Sequence, residues 1–166
     1  MSTCAVMLVK DESDVIAATV RHLVTQVDQI LVSDNLSTDG TLQILWGLRD
    51  EGLPVVVYVD EERGYYQAAK TTRLAGVALD LGHEWVVPCD ADEIWYSTFG
   101  RLGDVLAEHR GVDLVTAEMY DHVPSALDAD ADPNPVTRIG WRRRERGKLP
   151  KVAARLDPTL RIQMGN

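Results

Sequence analysis

Apolar and polar positions change their period several times along the first ninety residues. Cys4–Val9 is a short unbroken apolar run, the pattern of a strand buried on both faces of a parallel sheet. Val15, Ile16, Val20, Leu23 and Val24 then fall at helical spacing, with Ser13 placed as the N-cap. Gln29–Ser33 predicts a second strand, which runs into Asp34-Asn35-Leu36-Ser37-Thr38-Asp39-Gly40, a dense turn signal. Thr41–Arg49 predicts a helix with Leu42, Ile44, Leu45 and Leu48 on its apolar face and Gly52 as its stop. Pro54–Val59 predicts a third strand, and Tyr65–Leu81 a longer helix ended by Gly82. Glu84–Cys89 predicts a fourth strand, although Pro88 is unfavourable inside one.

The later pattern is less regular. It predicts a short helix at Leu102–His109, a strand at Leu114–Tyr120, an acidic loop at Asp128–Pro135, and two further strands at Val136–Trp141 and Val152–Leu156. No internal repeat or domain boundary interrupts the chain.

Strands alternating with helices imply an α/β fold with a mostly parallel central sheet flanked by helices. Ligands of such sheets bind past the carboxyl ends of the strands. The polar clusters fall there: Lys10-Asp11-Glu12 after strand one, Asp34–Asp39 after strand two, Asp60–Arg63 after strand three and Asp90–Glu93 after strand four. Carboxylates thus gather on one rim.

Asp90-Ala91-Asp92-Glu93 is the sharpest chemical signal. Its hard oxygen donors suit Mg²⁺ or Mn²⁺, and such an ion bridges to a diphosphate. A cation also offsets the cost of crowding carboxylates beside an apolar strand. The competing reading is a solvated acidic turn. In the second cluster, Asp34 is suited to accept a hydrogen bond from a base N–H or a ribose hydroxyl. Asp39-Gly40-Thr41 opens the next helix, where ordinary capping explains the same residues equally well. Trp95 is a candidate for stacking on a sugar or base, and Trp85 for the core. Cys4 and Cys89 lie in apolar runs and do not form a disulfide framework.

Taken in order, Val9-Lys10-Asp11-Glu12, Asp34-Asn35-Leu36-Ser37-Thr38-Asp39-Gly40-Thr41 and Asp90-Ala91-Asp92-Glu93 resemble a bacterial branch of the GT-A-fold glycosyltransferases of family 2. Gln67 on the third helix, the stretch Lys151-Val152-Ala153-Ala154-Arg155 and the closing Met164-Gly165-Asn166 extend the resemblance over nearly the whole chain. Lys70, Thr71 and Thr72 depart from it, standing where the family often has Asn. A His that often follows Gly-Asn in the family, and can bind metal, has no counterpart after Asn166.

The resemblance implies a single Rossmann-like GT-A domain over residues 1–166, with a nucleotide-binding half at 1–99 and a shortened acceptor half at 100–166. It implies a metal-dependent, inverting transfer of sugar from a nucleotide-sugar donor, with Mn²⁺ or Mg²⁺ held by Asp92 and Asp90. Val9, Lys10, Glu12, Asp34, Asn35, Asp39, Gln67, Asp90, Ala91 and Lys151 would form the donor site, Lys151 meeting the diphosphate. Acidic contacts to the base favour uracil's ring N–H, hence a UDP-sugar, with GDP and dTDP open. The catalytic base falls on Asp121 or Glu118, downstream of the metal motif. The acceptor is an unidentified sugar, lipid or other molecule. The alternative is a donor-binding module, or a degenerate or truncated transferase, without turnover.

Charge narrows the partners. Residues 1–137 carry 8 Lys/Arg against 24 Asp/Glu, whereas residues 138–166 carry 9 against 2. The acidic body excludes general nucleic-acid binding. Only the basic segment, with Arg142, Arg143, Arg144, Arg146 and Lys148, suits phosphate or weak contact with an anionic membrane surface. The N-terminus shows no basic and apolar leader and no run approaches the ~18 residues of a membrane span, which together predict a cytoplasmic protein.

Overall fold

The computed structural model describes residues 1–64, 66–126, 128, 132, 134–147 and 149–163. Among them the chain runs β1 (Thr3–Val9), α1 (Ile16–Leu23), β2 (Gln29–Asp34), α2 (Thr41–Asp50), β3 (Val55–Val59), α3 (Gln67–Asp80), β4 (Trp85–Pro88), α4 (Leu102–Glu108), β5 (Leu114–Ala117), α5 (Pro135–Arg138) and β6 (Lys151–Arg155). The six strands form one sheet in the order β3-β2-β1-β4-β6-β5. β1, β2, β3 and β4 pair in parallel. β6 runs antiparallel between β4 and β5, so five of the six strands point the same way.

The alternation along β1 sorts the core. Ala5, Met7 and Val9 face α1, α2 and α4, where they meet Ile16, Val20, Leu23, Leu45, Leu48, Leu102 and Leu106. Cys4 and Val6 face the other side, against Leu74, Ala75 and Ala78 of α3 and Leu156 beyond β6. Two apolar layers on a central sheet therefore account for the α/β architecture, as the pattern predicts. Trp85 is fully buried, as expected of a core residue, and the Arg155 guanidinium lies 4.8 Å from its ring centroid. Gly52 and Gly82 follow α2 and α3 with φ of 90° and 87°, conformations in which a Cβ is strained.

Four expectations are corrected. Ser13 does not cap α1, because residues 13–15 form a turn and Val15 holds the cap position. The Ser13 amide is instead drawn to Asp39 Oδ2, 2.9 Å away. α3 begins at Gln67, not at residue 65, which lies outside the described residues. No strand forms at Val136–Trp141. Pro135 stands at the first position of the short helix α5, and the Asn134 side chain accepts the Val136 N–H at 3.0 Å, so a proline and an Asn cap outweigh the apolar pattern. Trp95 is not free to stack on a ligand, because it is packed in the core with only 5% of its surface exposed.

One buried ion pair ties α3 to the exit of β3. Lys70 Nζ lies 2.6 Å from Asp60 Oδ2, with both side chains 5% exposed, and it also donates to the Glu62 carbonyl at 2.8 Å. Burial alone would raise the Asp60 carboxyl, but Lys70 and the Glu62 amide outweigh it and hold the group below its ordinary value. Lys70→Met leaves that carboxylate buried and uncompensated. It is expected to cost about 3–5 kcal/mol, read as a fall in the urea midpoint at unchanged slope.

Candidate functional site

The loops that leave β1 and β2 are laced together mainly by polar side chains. Asp11 adopts φ of 55°, which turns its carboxylate onto the Thr38 amide at 2.6 Å, while its own amide donates to Ser37 Oγ at 2.9 Å. The Glu12 amide donates to Thr41 Oγ1 at 2.8 Å. Asp39 completes the lacing, accepting from Thr41 Oγ1 at 2.6 Å, the Thr41 amide at 3.0 Å and the Ser13 amide. These bonds, the Thr41 hydroxyl foremost, hold the Asp39 carboxyl well below the usual carboxylate range. Its short polar partners make Asp39 an organiser of both loops.

Asp34, at the carboxyl end of β2, is fully buried. Its Oδ2 accepts the Ser37 amide at 3.0 Å, and its Oδ1 has no hydrogen-bond partner among the described residues. A buried carboxylate oxygen left so is costly, which makes it a place for a ligand donor. Asn35 next to it is committed to the backbone, donating from Nδ2 to the Asp60 carbonyl at 3.1 Å and the Glu62 carbonyl at 2.6 Å. Val9 is buried in the core, and its carbonyl accepts the Asn35 amide at 2.9 Å. Lys10 is exposed at the rim.

The acidic motif turns away from β4 at the same rim. Ala91 is buried, and its carbonyl accepts Thr19 Oγ1 at 2.5 Å, which anchors the turn to α1. Asp92 is exposed. Gln67 Nε2 reaches Asp90 Oδ1 at 3.4 Å. Lys151, the first residue of β6, places Nζ 2.5 Å from Glu93 Oε1 and 3.1 Å from Asp90 Oδ2. Burial lowers the affinity of this amine for its proton, but Glu93 and Asp90 outweigh it and raise its pKa above the ordinary lysine value. Gln67, Thr71, Cys89 and Asp90 line a small recess between β1, β4 and α3. Burial pushes the Cys89 thiol up, so it stays protonated and donates to the Asp90 carbonyl at 3.3 Å.

The rim stores unrelieved negative charge. Glu12 is raised above its ordinary value, first by burial and then by the charges of Asp92, Asp14, Asp39 and Asp90. Among the described residues no three His, Cys, Asp or Glu side chains converge as a metal cage would. One or two carboxylates on an open rim are nevertheless the donor set that Mg²⁺ and Mn²⁺ use when phosphates and water complete the shell. Asp90 and Asp92 fit that role by donor chemistry and by the field on Glu12.

The two base candidates lie on the segment that follows β5, whose last residue, Ala117, pairs with Lys151, and this segment pairs in turn with residues 141–147. The Arg143 amide donates to the Asp121 carbonyl, the Gly147 amide to Met119 and the Val123 amide to Trp141. Glu118 is bound by Arg146 at 2.5 Å and by the Tyr120 hydroxyl at 2.9 Å, which hold it below its ordinary value. Asp121 has a looser partner, Arg143 at 3.9 Å. Arg142 stacks on Tyr120 at 4.5 Å. Arg142, Arg143 and Arg146 of the basic segment thus have partners within the chain, at its exposed surface. His22 and His122 are bonded to the Trp95 and Ile139 carbonyls. Met164-Gly165-Asn166, which carries part of the sequence resemblance, lies outside the described residues.

Sequence reasoning missed three things here. Glu93 is bound to Lys151, Asn35 pins the third loop, and Lys70 is the buried partner of Asp60. The last had a signal, since a lone lysine on the apolar side of a helix needs an acid.

Comparison with known proteins agrees with this fold. The sequence profile described as "Glycosyl transferase family 2" matches residues 4–153. Among solved structures, a mannosyltransferase from Pyrobaculum calidifontis, in complex with GDP-Man and Mn²⁺, superposes with a TM-score of 0.58 at 21% identity, covering 71% of this chain and 35% of that one. TarS 1–349 from S. aureus superposes at 0.64 with 18% identity, covering 94% and 47%. The chain therefore spans between a third and a half of the length of these structures, and the likeness shows the fold. No curated protein matches.

The strain on Glu12 has a measurable sign. Its folded-state value is raised, so its charge costs stability above that value, and the cost is relieved as pH falls through it. Glu12→Gln is expected to raise Tm by ~2 °C near pH 7. The gap should close below the ordinary glutamate value of about 4.3. Paired thermal melts across that range check both.

Proposed function

The chain belongs to glycosyl transferase family 2, and on that premise we propose that its acidic rim binds a nucleotide-sugar donor and transfers the sugar to an acceptor. The observation that carries the reading is Asp34, fully buried at the carboxyl end of a parallel strand, with one carboxylate oxygen that has no hydrogen-bond donor among the described residues. A base N–H or ribose hydroxyl supplies that donor, and uracil's ring N–H makes UDP the favoured nucleotide. The Mn²⁺ and GDP-Man in the structurally similar mannosyltransferase support a divalent cation and a nucleotide sugar as a class.

Asp92 and Asp90 would hold the cation, which when bound neutralises charge on the departing diphosphate. The chain's own residues do the rest. Asp39 and Asp11 fix the two loops around the nucleoside, Gln67 orients Asp90, and Lys151 stands where it can meet the diphosphate. In an inverting transfer a carboxylate takes the acceptor's proton opposite the leaving group. Asp121 is favoured over Glu118, because the Tyr120 hydroxyl and Arg146 engage the Glu118 carboxylate and weaken it as a base, whereas the ion pair of Asp121 with Arg143 is 3.9 Å long. Residues 100–166 form the acceptor side of a single domain. No described helix is long and apolar enough to cross a membrane, and we place the transfer in the cytoplasm. The second reading is a donor-binding module without turnover.

A thermal-shift screen of UDP, GDP, dTDP, CDP and ADP, with Mn²⁺ or with EDTA, tests the donor site. A ligand at about 100 times its Kd stabilises the fold by ~2.7 kcal/mol. A shift with UDP is expected, needing metal and lost in Asp92→Asn. A shift with another of the five would move the nucleotide, and no shift with any would overturn the reading. For the base, Asp121→Asn is expected to reduce transfer by about 10²–10⁴-fold with donor binding intact, while Glu118→Gln keeps most of the rate. The reverse pattern would reassign the role, and binding with no turnover in the unaltered chain would support the module.

A further inference from the structure

The acidic rim already contains a cation of its own. Lys151 Nζ sits between Glu93 Oε1 and Asp90 Oδ2, and its side chain is only 14% exposed. Glu93 is fixed in turn. Its Oε2 accepts the Asp90 amide at 3.2 Å, and its own amide donates to the Asp90 carbonyl at 3.1 Å. Asp90 and Glu93 therefore close a reciprocal box, with the second oxygen of Glu93 turned onto the ammonium. Chain direction brings Lys151 there. β6 is antiparallel to β4 with Val86 opposite Ala154, so the start of β6 lies beside the residues that follow β4. The Ala117–Lys151 pairing with β5 holds it from the other side.

We propose that Glu93 is a positioning residue that holds Lys151 as the resident counter-cation of Asp90, so that a divalent ion entering without nucleotide competes with Lys151, whereas the donor's diphosphate draws Lys151 away and lets the ion in. This rests on the donor-site reading above and adds an order to it: cation and nucleotide enter as one unit. The logic is charge exchange. An ion sharing Asp90 with an ammonium at 3.1 Å meets repulsion from it, and two phosphates bring the negative charge that satisfies both. Glu93 does not have to touch the ion, since its work is to keep the ammonium on Asp90 until the diphosphate arrives.

The test is Mn²⁺ affinity, measured on the full chain by the loss of the free-ion EPR signal, first without nucleotide and then with UDP. Lys151→Met is expected to bind Mn²⁺ alone about tenfold tighter than the unaltered chain. Lys151→Arg, which keeps the charge, should stay near the unaltered value. With UDP present the advantage of Lys151→Met should vanish or reverse, because the diphosphate has lost its ammonium. A merely structural lysine would produce no such reversal. Equal or weaker Mn²⁺ binding by Lys151→Met in the absence of nucleotide overturns the proposal. Should that variant fail to fold because Glu93 is left unpaired, Glu93→Gln and the double change Glu93→Gln/Lys151→Met pose the same question. Glu93→Gln, which loosens the ammonium's hold on Asp90, should itself bind Mn²⁺ alone tighter than the unaltered chain, and the double variant tighter still, by about tenfold over the unaltered chain; affinities equal to the unaltered chain's sink the idea. If UDP with Mn²⁺ stabilises the unaltered chain while these comparisons fail, the donor site survives and only the exchange is wrong.

Discussion

The mutual repulsion of carboxylates at one end of a parallel sheet is the constraint on which the rest of this structure depends. Parallel strands send all their outgoing loops to the same rim, and here each loop brings acids. Several of these acids are relieved, each in a different way. Asp39 is surrounded by short hydrogen bonds, Asp60 has a buried lysine, and Asp90 and Glu93 share Lys151. Glu12 and one oxygen of Asp34 are left unrelieved. The unrelieved groups are the ones a cation and a nucleoside would complete. Glu12 therefore costs the fold stability for the negative charge that it adds to the rim.

The part of the fold that the sequence reveals is the part governed by local period. The runs at β1, β2 and β3 are short and apolar, as parallel strands are; β1 and β2 are buried almost throughout, whereas β3 lies at the sheet edge with Tyr58 and Val59 exposed. The helices between them carry one clear apolar face. Local chemistry misleads where it competes with contacts from far along the chain. Ser13 has the composition of a cap, but Asp39 takes its amide. Val136–Trp141 has apolar members, but Pro135 and Asn134 start a helix before a strand can form. Trp95 looks available because it follows a polar motif, yet the chain folds it back among Leu102, Leu106 and Ile16.

The site divides along the same line. Its location was legible, because topology alone sends the acidic motifs to one rim. The division of labour within it was not. Asn35 sits inside a motif that points to the ligand, yet its amide holds the third loop. Ala91 and Val9 contribute through burial and backbone carbonyls. Glu93 is invisible as a partner of Lys151 because 58 positions separate them, and only the antiparallel pairing of β6 with β4 joins them.

That reversed strand also separates two kinds of variation. A strand that enters the sheet against its neighbours presents its first residue at the rim, so the position of Lys151 depends on where β6 starts and on no feature of the segment before it. Residues 118–150 leave from one end of the β5–β6 pair and return to the same end, spanning a fixed gap. Doubling the length of such a connection costs only about 0.6 kcal/mol of closure entropy. This connecting segment is thus free to grow, shrink or exchange its side chains, while the ammonium at its far end stays within the same few ångströms of Asp90.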